Sequence, residues 1–180
     1  FALHIGDLFV PNSDAIGLFP GLTDEEALFC INYCLISRSL VEIAGWLYQE
    51  PDHPRLKWIK KASCCPNNGQ DVYFSGYNYR DNSAMGPTIW YLKTPHFSRI
   101  RSNPHLPLRT VAVFNIADEE KTFSLTPERL DLEDGLYQFT DVWTLDVLGA
   151  PTMKAFAVPA HGSRLFGVSP ASKRIQLLDA

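Results

Sequence analysis

Asn12 and Asp14 are two side chains near the start of this 180-residue chain that could bind a polar ligand. They follow a strand-like piece that ends at Pro11, in a segment rich in turn-forming residues. Asp14 is the best single acidic candidate, because a carboxylate beyond the end of a strand can reach a bound molecule. Asx side chains also cap their own turns without any ligand. Both interpretations remain open, and turn capping is the simpler one.

His161 stands in the corner Pro159-Ala160-His161-Gly162, where a general base would need a nearby nucleophile. No Gly-x-Ser-x-Gly motif is present, and no serine or cysteine motif accompanies this histidine. We therefore expect His161 to make a hydrogen bond across a corner between two strands. The other four histidines lack metal-binding spacing such as His-Glu-x-x-His. The sequence predicts no catalytic residue and no metal site.

The remaining polar motifs do not indicate a binding site for a cofactor. Residues 131–135, Asp-Leu-Glu-Asp-Gly, lack the alternating oxygen ligands that calcium requires, which favours a solvated turn. Cys30 and Cys34 are four apart and Cys64 and Cys65 are adjacent, and neither pair fits a zinc site with two matched pairs. Buried or loop thiols are favoured over disulfides. Glycine-rich phosphate motifs are absent. No cofactor is expected.

Aromatic residues cluster between positions 73 and 91 around a loop rich in Gly and Asn. Within the loop, Tyr77 and Tyr79 could form an exposed platform on which the C–H face of a sugar stacks. The other aromatics are explained as alternating core and cover of a sheet. These are Tyr73, Phe74, Trp90 and Tyr91.

The bulk composition is that of a globular protein, with 46% hydrophobic and 20% charged residues. The net charge of −4 argues against a nucleic acid or an anionic membrane as partner. No apolar run reaches the roughly 20 residues that a membrane span needs. The first residues lack the pattern of a signal peptide, so the sequence does not indicate a compartment.

The N-terminal third has the pattern of a βαβ unit. Thr23-Asp24-Glu25-Glu26 is a capping box, and an apolar stripe with helical spacing follows it. The run LVEIAGWL at 40–47 predicts a strand buried on both faces. With the strand-like piece before the helix, these elements form the repeat of parallel (β/α)8 barrels. A short helix is expected within 55–61.

From Asp71 onward, alternating segments predict an antiparallel β-sandwich in which each strand has one face on the core. Val111 and Val113 should point one way, and Ala112 and Phe114 the other. The seam between the two sheets should contain Phe114, Trp143, Phe156 and Phe166. Strands are expected near 71–75, 88–92, 109–116, 121–125, 136–143, 152–158, 163–168 and 173–178.

The order of these motifs resembles the C-terminal β-domain of glycoside hydrolase family 27 α-galactosidases. The motifs are VAVFN with an acidic turn, DVWT, and VPAHGSRLF. Upstream, VPNSDAIGLF resembles the family segment W-P-N/D-x-D-M-L-P-L-G at the seventh barrel strand, with Pro11, Asn12 and Asp14 matching. LVEIAGWL resembles the eighth strand, where Gly45 and Leu47 match. Tryptophan, methionine, proline and aspartate of the family pattern are replaced by Val10, Ala15, Leu40 and Trp46.

The resemblance implies that the catalytic residues are not in this chain. Retaining glycosidases use two carboxyl groups roughly 5 Å apart, and in this family both are aspartates at the fourth and sixth barrel strands. Asn12 and Asp14 are then substrate-binding candidates beside the catalytic site.

Glu42 lies within the apolar run at 40–47, where a carboxylate needs a partner. A structural ion pair with Arg38 is favoured over a contact with a sugar.

The sequence thus predicts a mainly β chain, with residues 1–62 as the end of a (β/α)8 barrel with its connector and 63–180 as the sandwich. Its predicted function is that of the C-terminal region of an α-galactosidase-like glycoside hydrolase. The expected partners are a galactoside, through the parent enzyme, and the rest of the barrel. By resemblance the compartment would be secreted or lysosomal. The alternative is a non-catalytic carbohydrate- or partner-binding sandwich module.

Overall fold

The computed structural model describes residues 12–17, 21–37, 39–45, 48–49, 51–63, 72–74, 88–93, 109–148 and 154–171. The helices in these ranges are α1 (Asp24–Ser37) and α2 (Leu56–Ser63), with a 3₁₀ turn at Glu128–Leu130. The strands are β1 (Asn12–Gly17), β2 (Leu40–Ala44), β3 (Val72–Phe74), β4 (Ile89–Leu92), β5 (Arg109–Phe114), β6 (Lys121–Leu125), β7 (Tyr137–Asp141), β8 (Lys154–Val158) and β9 (Ser163–Pro170).

A five-stranded antiparallel sheet with the order β3-β4-β5-β9-β7 forms the centre of the fold. The strands β6 and β8 form a second, two-stranded antiparallel sheet, and β1 and β2 form a short parallel one. The predicted mainly β fold with an antiparallel sandwich is confirmed. The predicted strand at 173–178 and the predicted loops at 76–87 and 95–108 lie outside the described residues.

The central sheet is buried on both faces, because neighbouring residues of β5 belong to different cores. Val111 and Val113 pack in the core between the two sheets, with Leu125 of β6 and Val158 of β8. Ala112 and Phe114 pack in the core beneath α1. The predicted alternation is confirmed, but the prediction that each strand has only one face on a core is wrong for this sheet. Helix α1 covers the second face.

The helix–sheet core is built largely from aromatic rings. Phe29 of α1 lies 4.8 Å from Phe114, measured between ring centroids, and Tyr33 lies 5.3 Å from Trp90. Ile36, one helical turn beyond Asn32, is fully buried in the same cluster. Burying a large apolar side chain contributes about 1.5–3 kcal/mol, so this interface adds substantially to the stability of the sheet.

The predicted seam residues divide between the two cores. Phe156 and Phe166 meet in the seam between the sheets, with ring centroids 5.0 Å apart. Phe114 and Trp143 instead belong to the core beneath α1. The error has a simple cause: a strand with apolar residues on both faces does not reveal which face meets the second sheet.

Helix α1 begins with the predicted capping box. The Glu26 amide donates to Thr23 Oγ1 at 3.2 Å, and the Thr23 amide donates to Glu26 Oε2 at 2.7 Å. The parallel pair β1–β2 that flanks α1 matches the predicted βαβ unit. However, β1 spans 12–17, where the turn-forming residues predicted a loop. Pairing with β2 outweighs the local turn preference of Asn12-Ser13-Asp14.

Helix α2 forms where it was expected and links the N-terminal elements to the sandwich. Arg55, just before α2, donates from Nε to Asp24 Oδ1 at 2.8 Å and from Nη2 to the Leu22 carbonyl at 2.6 Å. Lys61 Nζ donates to the Val142 carbonyl at 2.8 Å. Charged side chains thus fix α2 both to the start of α1 and to the segment after β7.

Candidate functional site

Asn12 and Glu42 meet on the surface of the β1–β2 pair. Asn12 Nδ2 donates a hydrogen bond to Glu42 Oε1 at 2.8 Å. Arg38, the partner expected for Glu42, lies outside the described residues. Asp14 lies within β1, where the register with β2 shifts between Asn12 and Ala15. The backbone of Asp14 is therefore part of strand β1.

The predicted aromatic platform cannot be placed, because Tyr77 and Tyr79 lie outside the described residues. The flanking aromatics behave as core residues. Tyr73 and Tyr91 stack at 5.5 Å between ring centroids and belong to the core between the sheets. Trp90 points to the opposite core. The interpretation of these three as core and cover is confirmed.

The Pro-Ala-His-Gly corner is a structural turn. His161 has a positive φ of 52°, and its Nε2 lies 3.0 Å from Asp118 Oδ1, which confirms the hydrogen bond expected across the corner. Beneath it, the buried Asn115 donates from Nδ2 to the carbonyls of Glu119, Val158 and Pro159 at 2.7, 3.0 and 2.9 Å. These bonds hold the turn after β5 against the turn between β8 and β9.

The acidic turn between the 3₁₀ turn and β7 is solvated, as predicted. Asp131 has a positive φ of 52° and forms an ion pair with Lys93, whose ammonium lies 4.3 Å from the centroid of the Tyr73 ring. The hydrogen bond from Lys93 lowers the pKa of the Asp131 carboxyl. Glu133 and Asp134 are exposed. The Asp131 carboxylate is therefore engaged by a cationic side chain.

Metal and membrane features are not found in the described part of the chain. It contains no group of three or more His, Cys, Asp or Glu residues that could hold a metal ion. Cys34 of α1 is buried, whereas Cys30 is exposed at the surface of the helix. Desolvation of part of the Cys30 thiol raises its pKa. None of the described helices is both long enough and apolar enough to cross a bilayer.

A groove with a volume of about 410 Å³ opens between the start of α1, the turn after β7, and strands β8 and β9. Its polar residues come from three separate elements, and apolar residues complete its wall. The lining residues are Glu25, Leu28, Asp141, Trp143, Thr144, Asp146, Leu148, Phe156, Ala157, Ser163, Arg164 and Phe166. Sequence reasoning did not identify this groove, because its residues are spread over 142 positions and form no motif.

Hydrogen bonds fix the polar wall of the groove. Arg164 Nη1 donates to Glu25 Oε2 at 3.1 Å, which joins β9 to the first turn of α1. Asp141 Oδ1 accepts from the amides of Trp143 and Thr144 at 2.7 and 3.0 Å, which closes the turn after β7. Trp143 Nε1 donates to the buried Asn32 at 2.8 Å. Side chains held in this way present a preformed surface.

Comparison with known families identifies the sandwich. Residues 108–168, which contain β5 to most of β9, match the family model of the alpha galactosidase C-terminal beta sandwich domain. The sandwich is therefore similar to this C-terminal domain over the matched residues. The resemblance to this region of family 27 proteins is confirmed. No curated protein sequence matches the chain.

Solved structures share the fold of the sandwich and of the elements before it. A GH27 β-L-arabinopyranosidase from Geobacillus stearothermophilus superposes with a TM-score of 0.70 at 18% identity, covering 96% of this chain and 41% of that one. For α-galactosidase I from Mortierella vinacea the TM-score is 0.58 at 14% identity, and the match covers 88% of this chain and 40% of that one. For an isomalto-dextranase from Arthrobacter globiformis T6 it is 0.56 at 21% identity, covering 84% and 24%. The chain spans less than half the length of each of these structures.

Proposed function

We propose that this chain is the C-terminal region of an α-galactosidase-like glycoside hydrolase, in which the sandwich supports a catalytic barrel. The match of residues 108–168 to the α-galactosidase C-terminal domain carries the proposal. In this proposal residues 1–62 are the end of the barrel with its connector, and residues 63–180 are the sandwich. The catalytic aspartates belong to barrel strands that this chain does not contain.

The packing of α1 supports a role in holding a barrel on the sandwich. One face of α1 lies on the central sheet through Ile36 and Phe29, while β1 and β2 flank it as a parallel pair. Two-stranded parallel sheets are unusual alone, since parallel sheets are normally larger and covered on both faces. In β2, Glu42 and Ile43 are exposed. The packed interior and the outer helices of a complete barrel would cover the two faces of these strands.

Asn12 and Asp14 are the proposed substrate-binding residues of that assembled enzyme. The Asn12–Glu42 hydrogen bond holds a carboxylate and an amide together on β1 and β2. Polar side chains of this kind recognise the hydroxyl groups of a galactoside, the proposed substrate. The role is one of binding, because the two reacting carboxyl groups of a retaining glycosidase come from other strands.

The gene sequence upstream of the codon for Phe1 tests the proposal. We expect an in-frame extension that encodes further barrel strands with two aspartates at strand ends. The extended protein should release nitrophenol from 4-nitrophenyl α-galactoside, and changing either aspartate to asparagine should abolish the release. The 180-residue chain alone should give no release above the blank. Hydrolysis by this chain alone, or an extension without barrel strands, would refute the proposal.

A further inference from the structure

We infer that the groove between α1, the turn after β7, and strands β8 and β9 binds a hexopyranose unit. Its volume of about 410 Å³ lies within the range of small-molecule pockets, about 300–1,000 Å³. The groove is formed only by residues of the sandwich and of α1. It is therefore separate from Asn12 and Asp14 on β1, and the inference does not depend on the proposed function.

The apolar part of the groove offers a flat surface that is already ordered. Trp143 lines the groove while its indole N–H is held by Asn32, so the orientation of the ring is fixed before any ligand arrives. Phe156 and Leu148 extend the apolar wall, and the buried Phe166 lies behind them. Amphipathic ligands with an apolar face pack well on such aromatic surfaces. A pyranose ring has an apolar C–H face of this kind.

The polar part of the groove favours a ligand that donates hydrogen bonds. Three carboxylates, Glu25, Asp141 and Asp146, line it against one guanidinium, Arg164. The exposed Asp146 carboxylate can accept hydrogen bonds from a ligand, and so can Oδ2 of Asp141, because the backbone amides bind Oδ1. The Thr144 hydroxyl also lines the groove. The excess negative charge disfavours phosphates and other anions. A neutral polyol with one apolar face satisfies both parts of the groove, whereas an alkylammonium satisfies chiefly the carboxylates.

Titration of the ¹⁵N-labelled chain with methyl α-D-galactopyranoside and methyl α-D-glucopyranoside, followed by amide chemical shifts, tests the inference. We expect saturable shifts at the amides of 141–148 and 163–166 with a Kd in the millimolar range. Asp146→Asn should weaken binding about tenfold, the loss typical of a hydrogen bond to a charged group. Leu148→Trp, which fills the groove, should abolish binding.

Asp134→Asn is the matched control, because Asp134 is exposed in a different turn; its Kd should equal that of the unmodified chain. Shifts that map outside the groove, or affinities unchanged in both Asp146→Asn and Leu148→Trp, would overturn the inference. So would saturable binding of n-butylammonium at these amides without binding of either glycoside. Circular dichroism of each variant confirms that it is folded. None of these outcomes bears on the hydrolytic activity of the longer protein.

Discussion

Asn32 of α1 and Trp143 after β7 are joined by a hydrogen bond of 2.8 Å from the indole Nε1 to the amide Oδ1. Asn32 is fully buried, and its Nδ2 also donates to Ser163 Oγ of β9 at 2.8 Å. One buried amide therefore connects α1 to two segments that are 111 and 131 positions away from it. Because apolar packing alone is not directional, this amide fixes the position of α1 on the sheet.

Replacing Asn32 with leucine should destabilise the chain by about 2–4 kcal/mol, because the Trp143 indole and the Ser163 hydroxyl both lose a hydrogen-bond partner in a buried site. Urea unfolding followed by tryptophan fluorescence measures the change. Cys30→Ala, at an exposed position of the same helix, is the control and should stay within about 0.5 kcal/mol. Equal stability of the two variants would contradict the role of the amide.

A double-mutant cycle isolates the Asn32–Trp143 bond. Trp143→Phe keeps an aromatic ring but removes the N–H, and Asn32→Ala removes the acceptor. We expect the two changes to be non-additive, with a coupling energy of about 1 kcal/mol. Free energies of unfolding for both single variants and the double variant give this value. Additivity would mean that the bond contributes nothing beyond packing.

Asn115→Ala should cost about 2–4 kcal/mol, because the Asn115 amide donates to three backbone carbonyls within a buried corner. His161→Asn, in the same corner, is the control. Asparagine tolerates the positive φ of position 161, and the His161–Asp118 contact is exposed, so the change should cost well under 1 kcal/mol. Thermal and urea unfolding compare the two variants. A larger loss for His161→Asn would reverse the assignment.

Gly162→Ala should destabilise by about 1–3 kcal/mol, the usual cost of overpacking. A Cβ at position 162 would lie 3.1 Å from both Glu25 Oε2 and the Pro159 carbonyl oxygen. The backbone oxygen has little freedom to move. Gly135→Ala is the matched control, because its Cβ would meet only the Tyr137 ring at 3.4 Å, an ordinary contact. Unfolding midpoints of the two variants should therefore differ clearly, with Gly162→Ala lower.

The capping box should make stability depend on acid pH. Hydrogen bonds from Thr23 lower the pKa of Glu26 below its ordinary value of 4.5, so the folded state favours the charged carboxylate. This contribution is present above the ordinary value and is lost as pH falls through the lowered pKa. We expect the fall in Tm from pH 5 to about pH 3 to be shallower in Glu26→Gln than in the unmodified chain. Glu128→Gln, at an exposed position, should leave the slope unchanged.

Elements with local signals could be predicted from the amino-acid sequence. The capping box placed the start of α1, because the Thr23 and Glu26 groups that form it are three residues apart. Period-two alternation placed β5 and β6 and the opposite directions of Val111 and Ala112. The order of short motifs indicated a resemblance to the α-galactosidase C-terminal β-domain, and residues 108–168 match the family model of that domain.

The partner of each apolar face depends on long-range packing and could not be predicted from the sequence. Phe114 and Phe166 have equally apolar surroundings in the sequence, yet one packs beneath α1 and the other between the sheets. Likewise, β1 begins at Asn12 in a turn-rich segment because β2 supplies its backbone hydrogen bonds. The groove and the Asn32 contacts join residues more than a hundred positions apart. Hydrophobic burial has no preferred direction along the chain, so no local pattern specifies such long-range contacts.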